Sequence, residues 1–362
     1  MSSDREQRIV RCGVLGAGWW GTEAHIPALL SHPRADLVAV QKRDMEAAHR
    51  VAGDFGVPHA CTRAEELVAV DGLDAVIVSS TPNMHYPHTK AALERGCHVL
   101  VEKPMAITVS EAAELLTLAE ERGLHLLISC PWHYTSHGIE ARRLIRQGVL
   151  GEVKMLSVLM TNFSGPLYRG LPLAQPSQDD AALEASPEFY LEPGPESYSD
   201  PSVAGGGQIY CQVSHAAAHI AFLTGSDPAE VFARFDNDGA AVDMHDTLNI
   251  KLRNGALVSL ASTGATMTSG RTYEVRIYGT EGMLFMELWK GTMVLHERDG
   301  QVRSYPELQP EDIYPMYAPT TNLVDVVLGL AENGSPARLG VSAMRVIEAA
   351  CQSACSGQNI IV

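Results

Sequence analysis

Three glycines near the start of the sequence form a pattern that can bind a diphosphate. The segment Gly16-Ala-Gly-Trp-Trp-Gly21 directly follows the apolar run 12–15 and precedes a helical stretch. In that context, Gly16 would permit a tight turn, Gly18 would let the backbone approach a pyrophosphate, and Gly21 would let the helix pack on the sheet. The helix N-terminus would face the phosphates, so the sequence predicts a dinucleotide site. Its predicted contacts in this loop are Gly16, Gly18, Trp19, Trp20 and Gly21.

The residues after the second predicted strand, 36–40, indicate which dinucleotide binds. An acidic residue at the carboxyl end of this strand would bind the ribose 2′-hydroxyl, but Asp36 lies at the opposite end. Lys42 and Arg43 follow the carboxyl end, and two cations suit a 2′-phosphate. The sequence therefore favours NADP over NAD; the alternative is a solvated pair of cations without a ligand. Asp44 is interpreted as the cap of the next helix.

Two further segments place reactive side chains at the same edge of the predicted sheet. Thr81-Pro-Asn-Met-His85 follows one strand and Glu102-Lys-Pro104 follows the next. Ligands of doubly wound folds bind at this edge. Pro104 restricts the preceding lysine to an extended conformation or a cis bond, and so directs its ammonium group. Asn83 would also cap a helix over 86–95. The predicted cofactor contacts in these segments are Thr81, Pro82, Asn83, His85, Glu102 and Lys103.

The segment Gly205-Gly-Gly-Gln-Ile-Tyr-Cys-Gln-Val-Ser-His215 carries three polar side chains at helical spacing. Gln212 can share a helix face with His215 and offer it a neutral hydrogen bond. Cys211 and His219 lie four residues to either side of His215, a spacing that suggests zinc ligands. A helix rises about 12 Å across eight residues, so the three cannot reach one ion, and we predict no metal site. The alternative for His215 is a buried histidine with a structural role.

The order of apolar and helical stretches predicts the fold that positions these residues. Over residues 1–130, short apolar runs alternate with amphipathic helices, as in a Rossmann domain with a doubly wound parallel sheet. Over 131–362, longer strands are separated by turns such as Asn254-Gly255 and Gly279-Thr-Glu-Gly282. We therefore expect an α/β fold whose second domain has a large open, mainly antiparallel sheet.

The predicted elements can be stated by residue. The strands of the first domain are 12–15, 36–40, 74–78, 98–101 and 124–128, and its helices are 45–55, 86–95 and 110–122, the last capped by Ser110. The strands of the second domain are 152–162, 231–235, 248–252, 257–262, 273–278 and 283–288. Residues 165–207 are rich in Pro, Gly, Ser and Asp, so we expect a lid, a binding loop or an arm that reaches a neighbouring subunit.

Composition argues against several classes of protein. The 27 Lys and Arg against 43 Asp and Glu give a net charge of −16, which opposes binding to nucleic acids or anionic membranes. No apolar run approaches the ~18 residues of a membrane span, and residues 1–8 lack the apolar core of a secretion signal. The 7 scattered cysteines are typical of free thiols in a reducing compartment. We therefore expect a cytoplasmic protein without nucleic-acid or membrane partners.

The glycine loop, Thr81-Pro-Asn-Met-His85 and Glu102-Lys-Pro104 together resemble the glucose–fructose oxidoreductase / inositol dehydrogenase family (Gfo/Idh/MocA). The resemblance continues through 144–151, 205–207 and 279–282 and covers nearly the whole chain. It implies pyridine-dinucleotide-dependent oxidation or reduction of sugars and cyclitols. It also implies that the second domain binds substrate and forms a homodimer or homotetramer through its sheet.

The resemblance assigns roles to individual residues. It gives Lys103 the task of holding the reacting hydroxyl. In the family segment that matches 205–215, an Asp and a His four residues later face the substrate; His215 falls on the histidine, but Cys211 stands at the aspartate position. His215 therefore lacks the local carboxylate that would orient its ring. Pro131-Trp-His-Tyr134 occupies the place of a segment near the substrate, although Trp132 and Tyr134 would suit a core between domains equally well. The predicted substrate contacts are Trp132, His133, Tyr134, Cys211 and Gln212.

The expected activity is that of an NAD(P)-dependent dehydrogenase or reductase acting on a secondary hydroxyl or ketone of a sugar, sugar derivative or cyclitol. In oxidation, His215 would accept the hydroxyl proton while Lys103 stabilises the developing alkoxide. One alternative is a glycosidase that uses transient oxidation by a bound dinucleotide. Another is a dinucleotide-binding regulator without turnover, for which Cys211 would mark a lost activity; the presence of both Lys103 and His215 argues against it.

Overall fold

The computed structural model describes residues 8–173, 189–267 and 270–362. The chain divides into two compact units. The first contains the described residues within 8–131, 189–194 and 316–341, and the second contains the remaining described residues. Two segments from later in the sequence thus belong to the first unit. The predicted division into two continuous ranges, 1–130 and 131–362, did not include this. The boundary predicted at residue 130 and the roles of the two domains stay predictions.

The first unit contains a six-stranded parallel sheet with strand order β3-β2-β1-β4-β5-β6. Its strands are β1 (Val10–Leu15), β2 (Ala35–Gln41), β3 (His59–Cys61), β4 (Ala75–Val78), β5 (His98–Val101) and β6 (Leu126–Ile128). The predicted doubly wound parallel sheet is confirmed. The strand order reverses at β1, so the carboxyl end of β1 lies at the switch point where such sheets bind ligands. Only the three-residue strand β3 was too short to predict.

Helices cover this sheet, and two of them begin at residues other than those predicted. The helices of the first unit are Gly21–His25 (a π-helical turn), Ile26–Ser31, Met45–Phe55, Ala64–Val68, Pro82–Glu94, Val109–Glu121 and Ala318–Leu328. Asp44 caps its helix as predicted, since its Oδ1 accepts the Ala47 N–H at 2.7 Å. The predicted cap by Asn83 is wrong, because Thr81 is the N-cap and Pro82 takes the first helical position that proline favours. Ser110 is not a cap either: Thr108 is, in a capping box with Glu111.

The second unit contains a nine-stranded mixed sheet with strand order β14-β13-β12-β11-β7-β10-β9-β8-β15. Only β7 and β10 pair in parallel, so the predicted, mainly antiparallel sheet is confirmed. The turns at Asn254-Gly255 and Gly279-Thr-Glu-Gly282 join antiparallel neighbours as predicted. The strands are β7 (Val153–Thr161), β8 (Pro228–Asp236), β9 (His245–Leu252), β10 (Leu257–Thr263), β11 (Thr272–Gly279), β12 (Gly282–Glu287), β13 (Thr292–Glu297), β14 (Val302–Ser304) and β15 (Ile360–Ile361).

One helix of the second unit is buried along nearly its whole length. Ser214–Thr224 continues the π-helical turn Ile209–Val213, and its residues up to Leu223 are all buried. A helix that is apolar on every side belongs in a protein interior, so His215 is carried by a rigid core element. The other helices are Pro131–Tyr134 (a 3₁₀ turn), Ser136–Arg146, Gly165–Tyr168, Glu196–Ser199, Pro201–Ala204 and Pro310–Ile313, and the last helix of the chain is Arg338–Ser356.

The segment 165–207 has more structure than its composition predicts. Three short helices lie within it, and its residues 174–188 fall outside the described part of the chain. The hypothesis of a lid, binding loop or intersubunit arm stays a prediction. All seven cysteines have free thiols, and no helix of the described residues is both long and apolar enough to cross a membrane.

The backbone at Gly279 leaves no room for a side chain. A β-carbon there would lie 2.0 Å from the carbonyl oxygen of Leu150. We expect Gly279→Ala to lower the free energy of unfolding by about 1–3 kcal/mol, as overpacking does. The matched control is Gly53→Ala, where a β-carbon meets no described atom within 4 Å and the residue is helical. The free energy of unfolding of this control should rise by about 0.5–1 kcal/mol. Urea unfolding followed by circular dichroism measures both, and equal effects would contradict the prediction.

Candidate functional site

The glycine loop at the end of β1 is fixed by steric demands at two positions. Gly16 has a φ of 85°, and a β-carbon on it would lie 2.4 Å from the backbone of Ser80. A β-carbon on Gly21 would lie 2.9 Å from the carbonyl oxygen of Gly16. At Gly18 it would meet no described atom within 4 Å, so packing of the protein itself does not require glycine there. Close approach of a pyrophosphate would require it, and the loop therefore fits a dinucleotide.

Gln41, at the end of β2, anchors this loop. Its backbone oxygen accepts the N–H groups of Gly16 and Ala17, and its Oε1 accepts the Gly16 N–H at 3.1 Å. Its Nε2 donates to the Thr62 carbonyl at 2.8 Å. The Lys42 ammonium adds a bond to the Ala17 carbonyl at 3.0 Å. Sequence reasoning missed Gln41, although a buried polar residue at the end of an apolar strand is a usable signal.

The cations predicted to select the cofactor lie together at the end of β2. Burial lowers the pKa of Lys42, and the charges of Arg50 and Arg43 lower it further against the opposing effect of Asp44. Lys42 is half-buried and Arg43 is exposed. A cluster of neighbouring cations is the electrostatic arrangement that suits a phosphate monoester.

Glu102 lies at the centre of a buried hydrogen-bond network in the first unit. Its Oε1 accepts the Trp20 indole N–H at 3.0 Å and bonds to His25 Nε2 at 3.1 Å. His25 Nδ1 bonds in turn to the Thr320 hydroxyl at 2.7 Å. The other carboxyl oxygen accepts the backbone N–H of Lys103 at 3.2 Å. The network thus ties the helix after the glycine loop to the backbone of the candidate catalytic lysine.

The carboxyl group of Glu102 is ionised in this environment. Burial raises its pKa, but the hydrogen bond to His25, the charges of His25 and Lys103 and a hydrogen bond to Ser129 lower it to about 2. Trp20 was predicted to contact the cofactor, and its N–H is engaged inside the protein. His25 and Thr320 were missed by sequence reasoning. They are 295 residues apart, so no local pattern connects them.

His85 also positions the lysine segment rather than standing free to contact a ligand through its nitrogens. Its Nδ1 lies 2.6 Å from the Pro104 carbonyl oxygen and its Nε2 lies 2.9 Å from that of Ser80. The Lys103–Pro104 bond is cis, one of the two geometries predicted. Thr81 and Asn83 bond to each other through their side chains at 2.8 Å, at the start of the helix Pro82–Glu94.

Part of the long segment after β7 packs on the glycine loop. The Phe189 ring lies 5.5 Å from the Trp19 ring, between centroids. Tyr190 packs on Phe55 at 5.1 Å, and its backbone N–H donates to Glu23 Oε1 at 2.8 Å. Within the first unit, Phe189 therefore packs on the loop that would bind the dinucleotide, and Tyr190 packs on the neighbouring helices. No periodicity in the sequence indicated this contact.

In the second unit, His215 lies against a cluster of aromatic rings. His215 is 4% exposed and meets the Trp132 ring edge-on at 5.2 Å. Trp132 also contacts Tyr273 at 4.8 Å, Trp289 at 5.2 Å and Tyr314 at 4.8 Å. Trp132 is only 2% exposed, so the accessible rings beside it are those of Trp289 and Tyr314, both half-buried. Sequence reasoning found the centre of this cluster and missed the three rings around it.

His133 belongs to the core of the second unit. Its ring stacks on Phe222 at 4.4 Å, with an interplanar angle of 5°. Burial, followed by the neighbouring His219 and His215, lowers the pKa of His133 well below its ordinary value. The predicted substrate contact would require an exposed ring, and His133 is 1% exposed. Tyr134, by contrast, is half-buried.

The helix positions around His215 do not form a metal site. Gln212 Nε2 donates to the Cys211 sulfur at 3.7 Å. His219 bonds through Nδ1 to the Tyr273 hydroxyl at 3.0 Å, and burial lowers its pKa to about 3. Within the described ranges, no three His, Cys, Asp or Glu side chains are placed to hold a metal ion.

Two family models match the chain. Residues 10–129 match the model described as oxidoreductase family, NAD-binding Rossmann fold, and residues 139–285 match the GFO/IDH/MocA C-terminal domain. The chain therefore belongs to the Gfo/Idh/MocA family of oxidoreductases, as the sequence motifs implied. Its first unit is an NAD-binding Rossmann domain.

Known relatives and a solved structure agree with this membership. The chain is 41% identical over 153 residues to dTDP-3,4-didehydro-2,6-dideoxy-alpha-D-glucose 3-reductase of Streptomyces antibioticus, a match that spans 42% of the chain and only 46% of that relative. It is 27% identical over 359 residues to D-xylose 1-dehydrogenase (NADP(+)) 2 of Haloferax volcanii, across 96% of the chain and 98% of the relative. An oxidoreductase domain protein from Kribbella flavida superposes with a TM-score of 0.82 at 21% identity, covering 98% and 100% of the two chains, which confirms the fold.

The ionised state of Glu102 gives a prediction about stability against pH. Its pKa falls from an ordinary 4.5 to about 2 in the folded chain. A carboxyl group whose pKa is lower in the folded chain stabilises the fold when the pH is above its pKa in the unfolded chain. This stabilisation is lost as the pH falls toward its pKa in the folded chain. Glu102→Gln should therefore have a lower free energy of unfolding than wild type at pH 7. The difference between the two should decrease by about 3 kcal/mol between pH 7 and about pH 2.

Urea unfolding of wild type and Glu102→Gln at several acidic pH values measures that difference. The exposed Glu46→Gln serves as the control and should track the wild type. A difference between wild type and Glu102→Gln that is constant with pH would show that Glu102 is not a buried ion.

Proposed function

We propose that the protein is an NAD(P)-dependent oxidoreductase that interconverts a secondary hydroxyl and a ketone on a sugar, sugar derivative or cyclitol. The observation that carries this proposal is the Glu102 network, which couples the glycine loop to Lys103 within a Rossmann unit of this family. The named activities of the relatives, a dTDP-sugar reductase and a xylose dehydrogenase, support a carbohydrate substrate.

Different residues are assigned to dinucleotide binding and to proton transfer. Gly16, Gly18 and Gly21 would hold the pyrophosphate, and the dinucleotide supplies the hydride acceptor or donor when bound. In the oxidation direction, the Lys103 ammonium stabilises the developing alkoxide and His215 accepts the hydroxyl proton. The half-buried Tyr314 ring offers an apolar face on which a sugar ring can rest, whereas the Arg271 guanidinium lies over the Trp289 ring, 3.6 Å from its centroid.

We also propose that NADP is the preferred cofactor, with Arg43 as the phosphate ligand. Lys42 already donates to the Ala17 carbonyl, whereas Arg43 is exposed beside it. Arg43→Ala should weaken NADP binding about 10- to 100-fold, the worth of a charged hydrogen bond, and leave NAD binding unchanged. Lys42→Met should weaken both, because the loop loses an anchor.

Calorimetric titration of each variant with NADP and with NAD separates these effects. If wild type binds NAD more tightly than NADP, the preference for NADP is wrong.

The activity itself is tested with a panel of sugars, sugar nucleotides and cyclitols, with NADPH absorbance as the readout. Lys103→Ala and His215→Ala should each lose roughly 10²- to 10⁴-fold in kcat on the identified substrate, with unchanged dinucleotide affinity. Cys211→Ser is the matched control on the same helix and should lose far less, because a thiol cannot serve as the orienting carboxylate. Near-full turnover by His215→Ala would overturn the proposed proton transfer.

The same assay distinguishes the alternatives. Substrate cleavage without net change in NADPH absorbance would indicate transient oxidation by a bound dinucleotide. Dinucleotide binding with no turnover on any member of the panel would indicate a regulator.

We further propose that the chain forms a homodimer or homotetramer through the outer face of its nine-stranded sheet. Adjacent strands β7 and β10 expose Met155, Leu159 and Leu257, and β12 exposes Met283 on the far side of β11. Exposed apolar side chains on adjacent strands suit a protein interface.

A further inference from the structure

A buried aspartate with unsatisfied oxygens lies beneath the helix that carries His215. Asp246, on β9, is 1% exposed. Neither of its carboxyl oxygens accepts a hydrogen bond from an N–H or O–H group of the described residues. A carboxylate left in this state would be very costly, because charge is removed from water with no donor to replace it. The carboxyl group of Asp243 acts on it directly, through both its charge and a hydrogen bond between the two side chains.

Asp243 holds the start of the His215 helix. Its Oδ1 accepts the Gly207 N–H at 2.8 Å and its Oδ2 accepts the Ile209 N–H at 2.7 Å. Its backbone oxygen accepts the Gln208 N–H at 3.0 Å. These N–H groups lie where a helix start has no internal acceptors, and a negative charge there is favourable. A β-carbon on Gly207 would lie 1.9 Å from the Asp243 carbonyl oxygen, so the helix start sits directly on this residue.

One proton shared between the two side chains satisfies both. Asp243 accepts one N–H group with each of its two oxygens, the arrangement that suits a carboxylate. A second buried carboxylate beside it would repel it, and adjacent carboxyl groups therefore hold one proton between them. Protonated Asp246 can donate its O–H to Asp243. Burial first, and Asp243 second, raise the pKa of Asp246 well above its ordinary value.

Within the described residues, the titratable groups that interact with the pair include the thiol of Cys351 and the phenol of Tyr168. Cys351, on the helix Arg338–Ser356, has its pKa raised to about 12 by burial and by both aspartates. Tyr168, whose pKa is raised first by burial, interacts with both Cys211 and Asp243. The strand neighbours of Asp246 are Phe235 and Ser262, and neither titrates. No Lys, Arg or His is among the groups that shift the pKa of Asp246. The adjacent His245 bonds instead to Thr263.

We propose that Asp243 and a protonated Asp246 form a carboxyl–carboxylate pair that fixes the start of the His215 helix and so positions His215. The existence of the pair concerns folding and protonation and does not depend on the reaction that the protein catalyses. The positioning role rests on the proposed function, because it concerns the residue assigned to proton transfer. Asp243 is a positioning residue: it touches the helix backbone and acts on chemistry through His215.

The pair is tested by Asp246→Asn, whose amide can donate to Asp243 as the protonated acid does. A raised folded-state pKa means that wild type must retain a proton that the unfolded chain releases above about pH 4. The folding equilibrium constant of Asp246→Asn relative to wild type should therefore rise roughly tenfold per pH unit from about pH 4 until the pH reaches the folded-state pKa of Asp246. Urea unfolding between pH 4 and 8 measures the ratio. The exposed Asp236→Asn, at the end of β8, is the control and should show no such slope. A ratio independent of pH would overturn the shared proton, whatever reaction the protein catalyses.

The positioning role is tested by Asp243→Asn on the substrate found with the panel. The amide can accept only one of the two N–H groups, so kcat should fall about tenfold or more while calorimetric NADP affinity stays unchanged. The double variant Asp243→Asn/His215→Ala should lose no more than His215→Ala alone, since the loss acts through His215. Additive losses, or unchanged kcat in Asp243→Asn, would overturn the positioning role. Absence of turnover in wild type would reject the proposed function and the positioning role together, and leave the proton pair to the unfolding experiment.

Discussion

The ionised carboxylate of Glu102 is the interaction on which the first unit depends. A buried charge persists only when hydrogen-bond donors replace water, and removing one donor costs the desolvation of the whole group. Trp20, His25 and the Lys103 backbone supply those donors from separate parts of the chain. The glycine loop and the lysine segment therefore cannot shift independently, because either movement would expose an unsatisfied charge. This constraint explains how a lysine that follows a strand can be held at a fixed place relative to the glycine loop.

The second unit positions its candidate base, His215, by packing. His215 lacks a carboxylate one helical turn away, since Cys211 stands there. Its position is instead set by a helix buried almost throughout, by the Trp132 ring, and by acceptors at the start of the helix. Packing and the hydrogen bonds at the start of the helix thus fix the location of the ring.

Much of this organisation could be predicted from the sequence because it is encoded locally. The alternation of apolar runs and helices specified the parallel sheet, and the turn residues specified the hairpins of the second sheet. The cap by Asp44 needed only its own neighbours. Errors came where two local rules competed: at Pro82 the preference of proline for the first helical turn moved the helix start and displaced Asn83 from the cap. Strands such as β3 and β15, of 3 and 2 residues, are too short to show a periodic pattern of apolar residues.

The candidate site was harder to predict, because its supporting residues are brought together by the tertiary fold. Lys103 and His215 were proposed because the segments that contain them resemble the family motifs. Thr320 reaches His25 across 295 residues, and Tyr273, Trp289 and Tyr314 meet Trp132 only after the strands have paired. For His133, a histidine beside aromatic residues in the sequence suggested a surface for stacking a sugar, whereas in the structure its ring stacks flat on Phe222 in the core of the second unit.

The return of residues 316–341 to the first unit has a consequence for how the protein is made. The edge strand β6 is completed by the Ile128 N–H bond to the Ser335 oxygen and by the Ala337 N–H bond to the Leu126 oxygen. Leu323 and Val324 fill the core beneath β1 and β4, and Thr320 completes the hydrogen bonds of His25. On the ribosome, the first 130 residues emerge long before these partners are synthesised. The dinucleotide-binding unit therefore cannot reach its final packing until nearly the whole chain has been translated, and the strand edge and core it leaves open in the interval are surfaces that a nascent chain must keep from aggregation.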